Sequence, residues 1–288
     1  MHSFETIETL RARVSAWRRA GERIALVPTM GNLHAGHIAL IRRAQDVADR
    51  VVASIYVNPM QFNDVVDLER YPVTRAQDCA QLQAAACDAV YLPDAVQIYP
   101  FGMDNSTRVI VPGLSEVLDG AFRPGHFTGV TTVVTKLINI VQPDIALFGE
   151  KDLQQLIVIR RLVADLQIPV QVQAVETVRE ADGVAMSSRN SYLSPDERRR
   201  AGALYQVLAS VRGRWRQRSA SDAVDGRVLE QAAMAELAEL GLRPEYVSIR
   251  GGEDLTELSP HGHIRDQPLY VLAAAWLGQA RLIDNLRL

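Results

Sequence analysis

Two histidines three residues apart, His34 and His37, stand in the segment Pro28-Thr29-Met30-Gly31-Asn32-Leu33-His34-Ala35-Gly36-His37. Imidazoles at that spacing face one side of a beginning helix. The segment follows the apolar run Arg23-Ile24-Ala25-Leu26-Val27, which reads as a short buried strand. It opens a helical pattern over Ile38 to Val47 that continues to about Asp49. A strand that turns into a helix N-terminus exposes unpaired N–H groups at the positive end of the helix dipole, which favours anions. Gly36 removes the side chain between the histidines and lets a bulky ligand approach the backbone. Two imidazoles beside such N–H groups suit a phosphate whose charge grows during reaction. A surface pair and half of a metal site are the competing readings. A catalytic zinc would need a third ligand, and no acidic residue or cysteine stands nearby in the sequence.

Two further segments carry chemistry. Gly149-Glu150-Lys151-Asp152 follows a strand pattern and opens a helix, with Gln154 and Gln155 just beyond. Lys151 can meet phosphate as a point charge, Asp152 can accept from a ribose hydroxyl or a metal-bound water, and Gln155 can offer an amide to a polar substrate. The alternative is an ordinary helix start with solvated charges. Met186-Ser187-Ser188-Arg189-Asn190, with Gly183 upstream, reads as a flexible loop able to wrap a polyphosphate, or as a plain Ser-rich loop.

The elements that position these segments follow from periodicity. Helices are expected over Ile7–Ala20, ending at Gly21, then over Thr74–Cys87, Gly129–Val141 and Leu153–Leu166. Strands are expected at 51–57, 89–92, 144–148 and 170–175. Residues 64–71 read as a loop and 93–113 as turns with a strand at 107–111. Strands alternating with helices argue for an α/β, doubly wound parallel sheet, a Rossmann-like domain over residues 1–175. Such sheets bind ligands at the C-terminal strand ends. The His segment, Asn58–Gln61 and Gly149–Asp152 all fall there. Residues 176–288 change character: helices over 195–215 and 228–240, a polar stretch at 216–226, a strand at 246–249 and a hairpin of 269–277 and 280–286 turning at Gly278-Gln279. They form a smaller α+β C-terminal domain.

A histidine turn followed far downstream by a Ser-Ser-basic loop is the paired signature of the nucleotidylyl-transfer and class I synthetase superfamily. Five blocks sharpen the resemblance: the His segment, Val57-Asn58-Pro59-Met60-Gln61-Phe62, Arg123-Pro124-Gly125-His126-Phe127, Phe148-Gly149-Glu150-Lys151-Asp152 with Gln154-Gln155, and Met186-Ser187-Ser188-Arg189-Asn190. In this order, between about residues 24 and 195, they closely resemble the pantoate–β-alanine ligase family. The resemblance implies two steps: (R)-pantoate is activated by ATP as pantoyl adenylate with loss of pyrophosphate, and the β-alanine amine then displaces AMP to give pantothenate. No enzyme nucleophile is needed, and no persuasive Ser-His-Asp or Cys-His arrangement is present.

The resemblance also implies residue roles. Met30, Gly31, Asn32, Leu33, His34, Ala35, Gly36 and His37 bind ATP. His37 is the proton donor and His34 helps stabilise the α-phosphate. Gln61 and Gln155 hold pantoate, with Gln61 also near β-alanine. Gly149, Glu150, Lys151, Asp152 and Val178 contact the nucleotide, and Met186, Ser187, Ser188 and Arg189 close over the phosphates. Mg²⁺ accompanies ATP, held mainly by phosphates and water with no protein ligand identified, and no tightly bound organic cofactor is implied. The C-terminal domain acts as a lid, and a homodimer is implied. Asn32 and Ala35 fill variable positions of the motif. Asp119 stands where an acidic residue, often Glu, is usual, and Leu153 replaces a common aromatic.

The composition fits. At 288 residues, 48% hydrophobic and 23% charged, the chain can build a substantial core. A net charge of −3 gives no general attraction to nucleic acid or anionic membranes. No apolar run of about 18 residues and no signal-peptide pattern is present. Cys79 and Cys87, the two cysteines, lie eight apart in one expected helix, unsuited to a disulfide. A cytoplasmic enzyme is expected, without nucleic-acid or membrane partners. His261-Gly262-His263 reads as a solvated turn, and Arg198, Arg199, Arg200, Arg212, Arg214, Arg216 and Arg218 as a solvated basic face. A nucleotidylyltransferase and a non-catalytic ATP- or RNA-binding module are the rival functional readings.

Overall fold

The computed structural model describes residues 1–217, 226–258 and 267–288. The chain forms two compact units, residues 1–150 with 158–176, and residues 151–157 with 177–288. The first five residues of one helix, 153–157, group with the second unit.

The elements of the first unit, in chain order, are β1 (His2–Phe4), α1 (Ile7–Arg19), β2 (Ile24–Thr29), α2 (Ala35–Val47), β3 (Arg50–Ile55), α3 (Val65–Arg70), α4 (Arg75–Ala84), β4 (Ala89–Tyr91), α5 (Ala95–Ile98), α6 (Asp119–Phe122), α7 (His126–Val141), β5 (Ile145–Gly149), most of α8 (Leu153–Asp165) and β6 (Gln171–Val175). All six strands pair in parallel, in the order β1-β4-β3-β2-β5-β6. Apolar residues occupy both faces of the central strands, as a parallel sheet covered by helices requires. Ala25, Val27, Val51, Ala53, Ile145 and Leu147 form one core with Leu40, Ile41 and Ala44 of α2 and Leu82 of α4. Ile24, Leu26 and Val52, offset by one residue, are equally buried and fall on the opposite face. Each such fully buried aliphatic side chain contributes about 1.5–3 kcal/mol.

In the second unit, α9 (Pro195–Arg200), α10 (Ala203–Gln217) and α11 (Gly226–Glu239) accompany the antiparallel sheet β7 (Arg243–Gly251), β8 (Leu269–Leu277) and β9 (Ala280–Arg287), ordered β7-β8-β9. Its core joins Val207, Leu208, Val211 and Trp215 of α10, Leu229, Ala233 and Leu237 of α11, and Val247, Ile249, Val271, Ala273, Ala275 and Leu282 of the sheet. Leu277 pairs with Ala280 across the two-residue turn, and Gly278 takes the positive φ, +57°, that such hairpins need.

The α/β architecture with its smaller α+β partner is as expected, and four local readings are corrected. Residues 107–111 form no strand. Val109 N donates to Thr132 Oγ1 (3.0 Å) and Thr131 Oγ1 donates to the Val109 carbonyl (2.6 Å), so two buried threonines of α7 take the place of a ladder. The expected loop at 64–71 contains α3, capped by Asp64 Oδ1, which accepts from Val66 N (2.8 Å). None of α3 is buried, so it carried no apolar stripe to read. The helix over 195–215 is broken at Ala201-Gly202 into α9 and α10. Cys87 lies beyond the end of α4 rather than within it, and both cysteines are free thiols. The three-residue edge strand β1 was too short to carry a periodic signal. His261-Gly262-His263 and Arg218 lie outside the described residues.

Candidate active site

The strand β2 ends at Thr29, and the chain turns through Gly31 (φ +83°) and Asn32 (φ +49°) into His34, the N-cap of α2. Two successive left-handed residues demand glycine and a residue such as Asn that tolerates the region. The turn is anchored from α4. Asp78, 1% exposed, accepts from Asn32 N (3.0 Å) and Leu33 N (2.8 Å), and Thr74 Oγ1 donates to the same carboxylate (3.1 Å). Gln81 Nε2 donates to the Leu33 carbonyl (3.3 Å). A Cβ on Gly31 would lie 2.9 Å from Asp78 Oδ2, so the carboxylate approaches the turn where only glycine leaves room. Thr29 Oγ1 donates to the Ser54 carbonyl (2.8 Å), tying the turn's base to β3.

His34 and His37 cap the helix reciprocally. His34 Nδ1 accepts from Gly36 N (3.2 Å) and His37 Nδ1 accepts from His34 N (3.3 Å), with ring centroids 4.1 Å apart. An Nδ1 that accepts from a backbone N–H holds a lone pair, so in the neutral ring the proton sits on Nε2. The capping therefore selects the tautomer and makes each Nε2 an N–H donor, the polarity an anion needs. Among the described residues no group of three His, Cys, Asp or Glu side chains is placed to hold a metal ion.

β3 ends next to this turn and leads into a 3₁₀ turn, Pro59–Gln61. Asn58 and Gln61 are buried, and their amides are oriented by a chain of hydrogen bonds. Asn58 Nδ2 donates to the Gly129 carbonyl (3.1 Å) and to Gln61 Oε1 (3.2 Å), while Tyr99 Oη donates to Asn58 Oδ1 (2.6 Å). The Gly129 carbonyl can only accept, which fixes Asn58 and through it Gln61. Gln61 then presents Nε2, which lies 3.0 Å from Met30 Sδ in the histidine turn. Burial raises the Tyr99 phenol well above its ordinary value, with the neighbouring Tyr56 adding to the shift, so Tyr99 stays protonated. His126 Nδ1 donates to the Gln61 carbonyl (2.8 Å), which leaves its Nε2 to accept from Arg123 Nη1 (3.1 Å). A Cβ on Gly129 would sit 2.5 Å from the Met60 and Gln61 backbone, so glycine lets α7 lie against this turn.

The first unit thus gathers Met30 to His37, Gln61, Gly149 and Glu150 at the C-terminal ends of β2, β3 and β5, with β2 between the other two. The second unit holds the remaining residues. Lys151 and Asp152 lie in a 3₁₀ turn, with Lys151 Nζ 3.7 Å from Asp152 Oδ1. Gln154 is buried and Gln155 half-buried at the start of α8. Val178 and Met186 pair as a hairpin, Met186 N donating to the Val178 carbonyl (3.0 Å). Ser187 caps the 3₁₀ turn Ser188–Tyr192, its Oγ accepting from Arg189 N (3.3 Å). Lys151 and Ser187 line one small cavity with Asn190 and Asp284. Sequence reading missed Asp78, Tyr99, Arg179, Asp284 and Asn285. A single polar residue in a helix, a strand or a turn carries no spacing signal of its own.

A family profile described as pantoate-beta-alanine ligase matches residues 2–287. A pantothenate synthetase of Thioalkalivibrio sulfidiphilus is 53% identical over 286 residues, covering 99% of this chain and 97% of that protein. One of Shewanella amazonensis is 52% identical over 286 residues, covering 99% of each. Among solved structures, pantothenate synthetase from Thermus thermophilus superposes with a TM-score of 0.89 at 42% identity, over 99% of both chains. Pantoate-beta-alanine ligase from Francisella tularensis, complexed with beta-gamma ATP and beta-alanine, gives 0.81 at 31% identity, over 100% of this chain and 97% of that one.

Proposed function

The chain belongs to the pantoate–β-alanine ligase family, and from that premise we propose that it joins (R)-pantoate to β-alanine through a pantoyl-adenylate intermediate. A pantoate carboxylate oxygen attacks the α-phosphorus of ATP, and the bond to the bridging oxygen breaks, releasing pyrophosphate. The β-alanine nitrogen then attacks the acyl carbon and gives up a proton, and the acyl–oxygen bond breaks to release AMP and pantothenate. The observation that carries this reading is the capped histidine pair, whose Nε2–H donors sit at the N-terminus of α2.

Each residue then has a role. His37 donates a proton and His34 stabilises charge growing on the α-phosphate. Met30 to Ala35 and Gly36 shape the ATP-binding turn. Gln61, held with its amide N–H₂ presented, donates to the hydroxy acid, and Gln155 supplies a second amide. Gly149, Glu150, Lys151, Asp152 and Val178 contact the nucleotide, while Met186, Ser187, Ser188 and Arg189 cover its phosphates. Mg²⁺ neutralises phosphate charge when bound. It would be held mainly by phosphate oxygens and water. Catalysis rests on positioning and charge stabilisation rather than a protein nucleophile. The setting we propose is a cytoplasmic homodimer. No helix among the described residues is long and apolar enough to cross a membrane.

The decisive experiment is ATP–pyrophosphate exchange with Mg²⁺, with and without pantoate and with β-alanine omitted. Exchange that depends on pantoate, followed by AMP and pantothenate when β-alanine is added, is the expected result. Ligation in the full mixture without exchange from folded, ATP-binding protein would remove the independent adenylation step.

A further inference from the structure

Asp284 interrupts an otherwise apolar register. It alternates with Leu282 and Leu286 along β9, both members of the core, and is itself 4% exposed. A buried carboxylate is costly unless paired, and here the pairing is specific. Arg179 Nη1 donates to Asp284 Oδ2 (2.6 Å) and Nη2 to Oδ1 (2.9 Å), a two-pronged contact. The same guanidinium donates from Nη1 to the Gly183 carbonyl (3.0 Å) and stacks on Tyr205, 4.5 Å from the ring centroid. Arg179 and Gly183 belong to the hairpin whose arms meet at Arg179 and Ala185 and at Val178 and Met186. The 3₁₀ turn Ser188–Tyr192 that follows packs beside β9.

The next residue reaches the other phosphate segment. Asn285 Nδ2 donates to the Lys151 carbonyl (2.9 Å), and Asn285 N donates to Asp284 Oδ1 (2.8 Å). Two adjacent residues of one strand therefore hold, respectively, the hairpin leading to Met186–Arg189 and the main chain at Lys151. We propose that Asp284 and Asn285 are positioning residues for the nucleotide, setting the spacing between Lys151 and the Met186–Arg189 segment from a single rigid strand. The inference rests on the reading that these two segments contact ATP. Asn285 fixes its segment directly. Asp284 acts through Arg179, whose fork is oriented by Tyr205 and the Gly183 carbonyl.

Calorimetric titration with Mg·ATP tests this without requiring turnover, alongside steady-state kinetics for each substrate. Asn285→Ala removes the donor to Lys151 and leaves the ion pair in place. Its ATP affinity is expected to fall about three- to tenfold, as loss of one well-placed hydrogen bond allows, while the KM for β-alanine and the melting temperature stay near wild type. Arg179→Lys keeps the charge but loses the fork, and is expected to weaken ATP by a similar or larger factor. It stands in for Asp284→Asn should that variant fail to fold. Unchanged ATP affinity in folded Asn285→Ala and Arg179→Lys would overturn the proposal. So would equal losses for all substrates in step with lowered melting temperature, which would mark a purely structural role. Failure of the wild type to ligate pantoate and β-alanine, with ATP binding still sensitive to Asn285, would overturn the proposed reaction and leave this inference standing.

Discussion

In the first unit Asp78 grips the histidine turn by its own main chain, accepting directly from Asn32 N and Leu33 N. In the second unit Asp284 reaches the hairpin before Met186–Arg189 only through the side chain of Arg179. Both anchors are buried carboxylates, but the first leaves no rotatable bond between anchor and turn. The second places a whole arginine between them and must lock it by stacking on Tyr205 and a bond to the Gly183 carbonyl. On the proposed reading the histidine turn carries the proton donor and gains from the stiffer arrangement, because a displaced donor loses much of its effect. On the same reading the segment 186–189 covers phosphates and tolerates the longer linkage. The difference shows one kind of residue used at two degrees of rigidity.

The strongest way to break this contrast is at the histidine turn. His37→Ala is expected to lower turnover by about 10²-fold or more, while stability falls by only about 1 kcal/mol for the lost cap. Steady-state assay and thermal melting check both, and an unchanged rate would remove His37 from the chemistry. Asp78→Ala should then show what the direct grip contributes. Two backbone N–H groups and the Thr74 hydroxyl lose their acceptor, so folding stability should drop by about 3 kcal/mol in urea denaturation. A loss under about 1 kcal/mol would mean that the turn holds itself.

The smallest expected effect sharpens the other side. Arg198 lies against the same hairpin, its Nη1 2.6 Å from Asp182 Oδ2 and its Nη2 2.5 Å from Glu180 Oε2. The hydrogen bond from Arg198 is the main reason the Asp182 carboxyl is held below its ordinary value of 3.8. A depressed folded-state value stabilises the fold above the ordinary carboxylate range, and that contribution fades as pH falls through the depressed value. Arg198→Ala should therefore lower stability slightly at neutral pH and converge with wild type in acid. Parallel stability curves down to strong acid would show that Asp182 does not respond to Arg198.

Much of the histidine turn was legible in the linear chain because its chemistry is local. His34, His37, Gly31 and Gly36 lie within one strand–turn–helix unit, and the dipole and cap arguments need only neighbours in sequence. The central parallel strands were equally plain, since Val51, Val52 and Ala53, like Ile145, Ala146, Leu147 and Phe148, put apolar side chains on both faces. The reading failed where the deciding partner was distant. Residues 107–111 have strand-like composition, yet Thr131 and Thr132, more than twenty positions away, absorb the hydrogen-bonding groups of Val109. The helix α3 buries nothing and so left no pattern.

By itself the sequence determined the α/β class, the strand–turn–helix unit that holds the two histidines and the segments that follow the strand ends, because each follows from periodicity, glycine placement or adjacent side chains. Only the tertiary structure decided how those segments are held. Asp78 meets a turn 45 residues earlier, and Arg179 meets Asp284 across 105 residues. The Gly129 carbonyl sets which way the Gln61 amide points. A buried hydrogen bond is directional and depends on where two separated backbones come together in space, a quantity that no local pattern encodes.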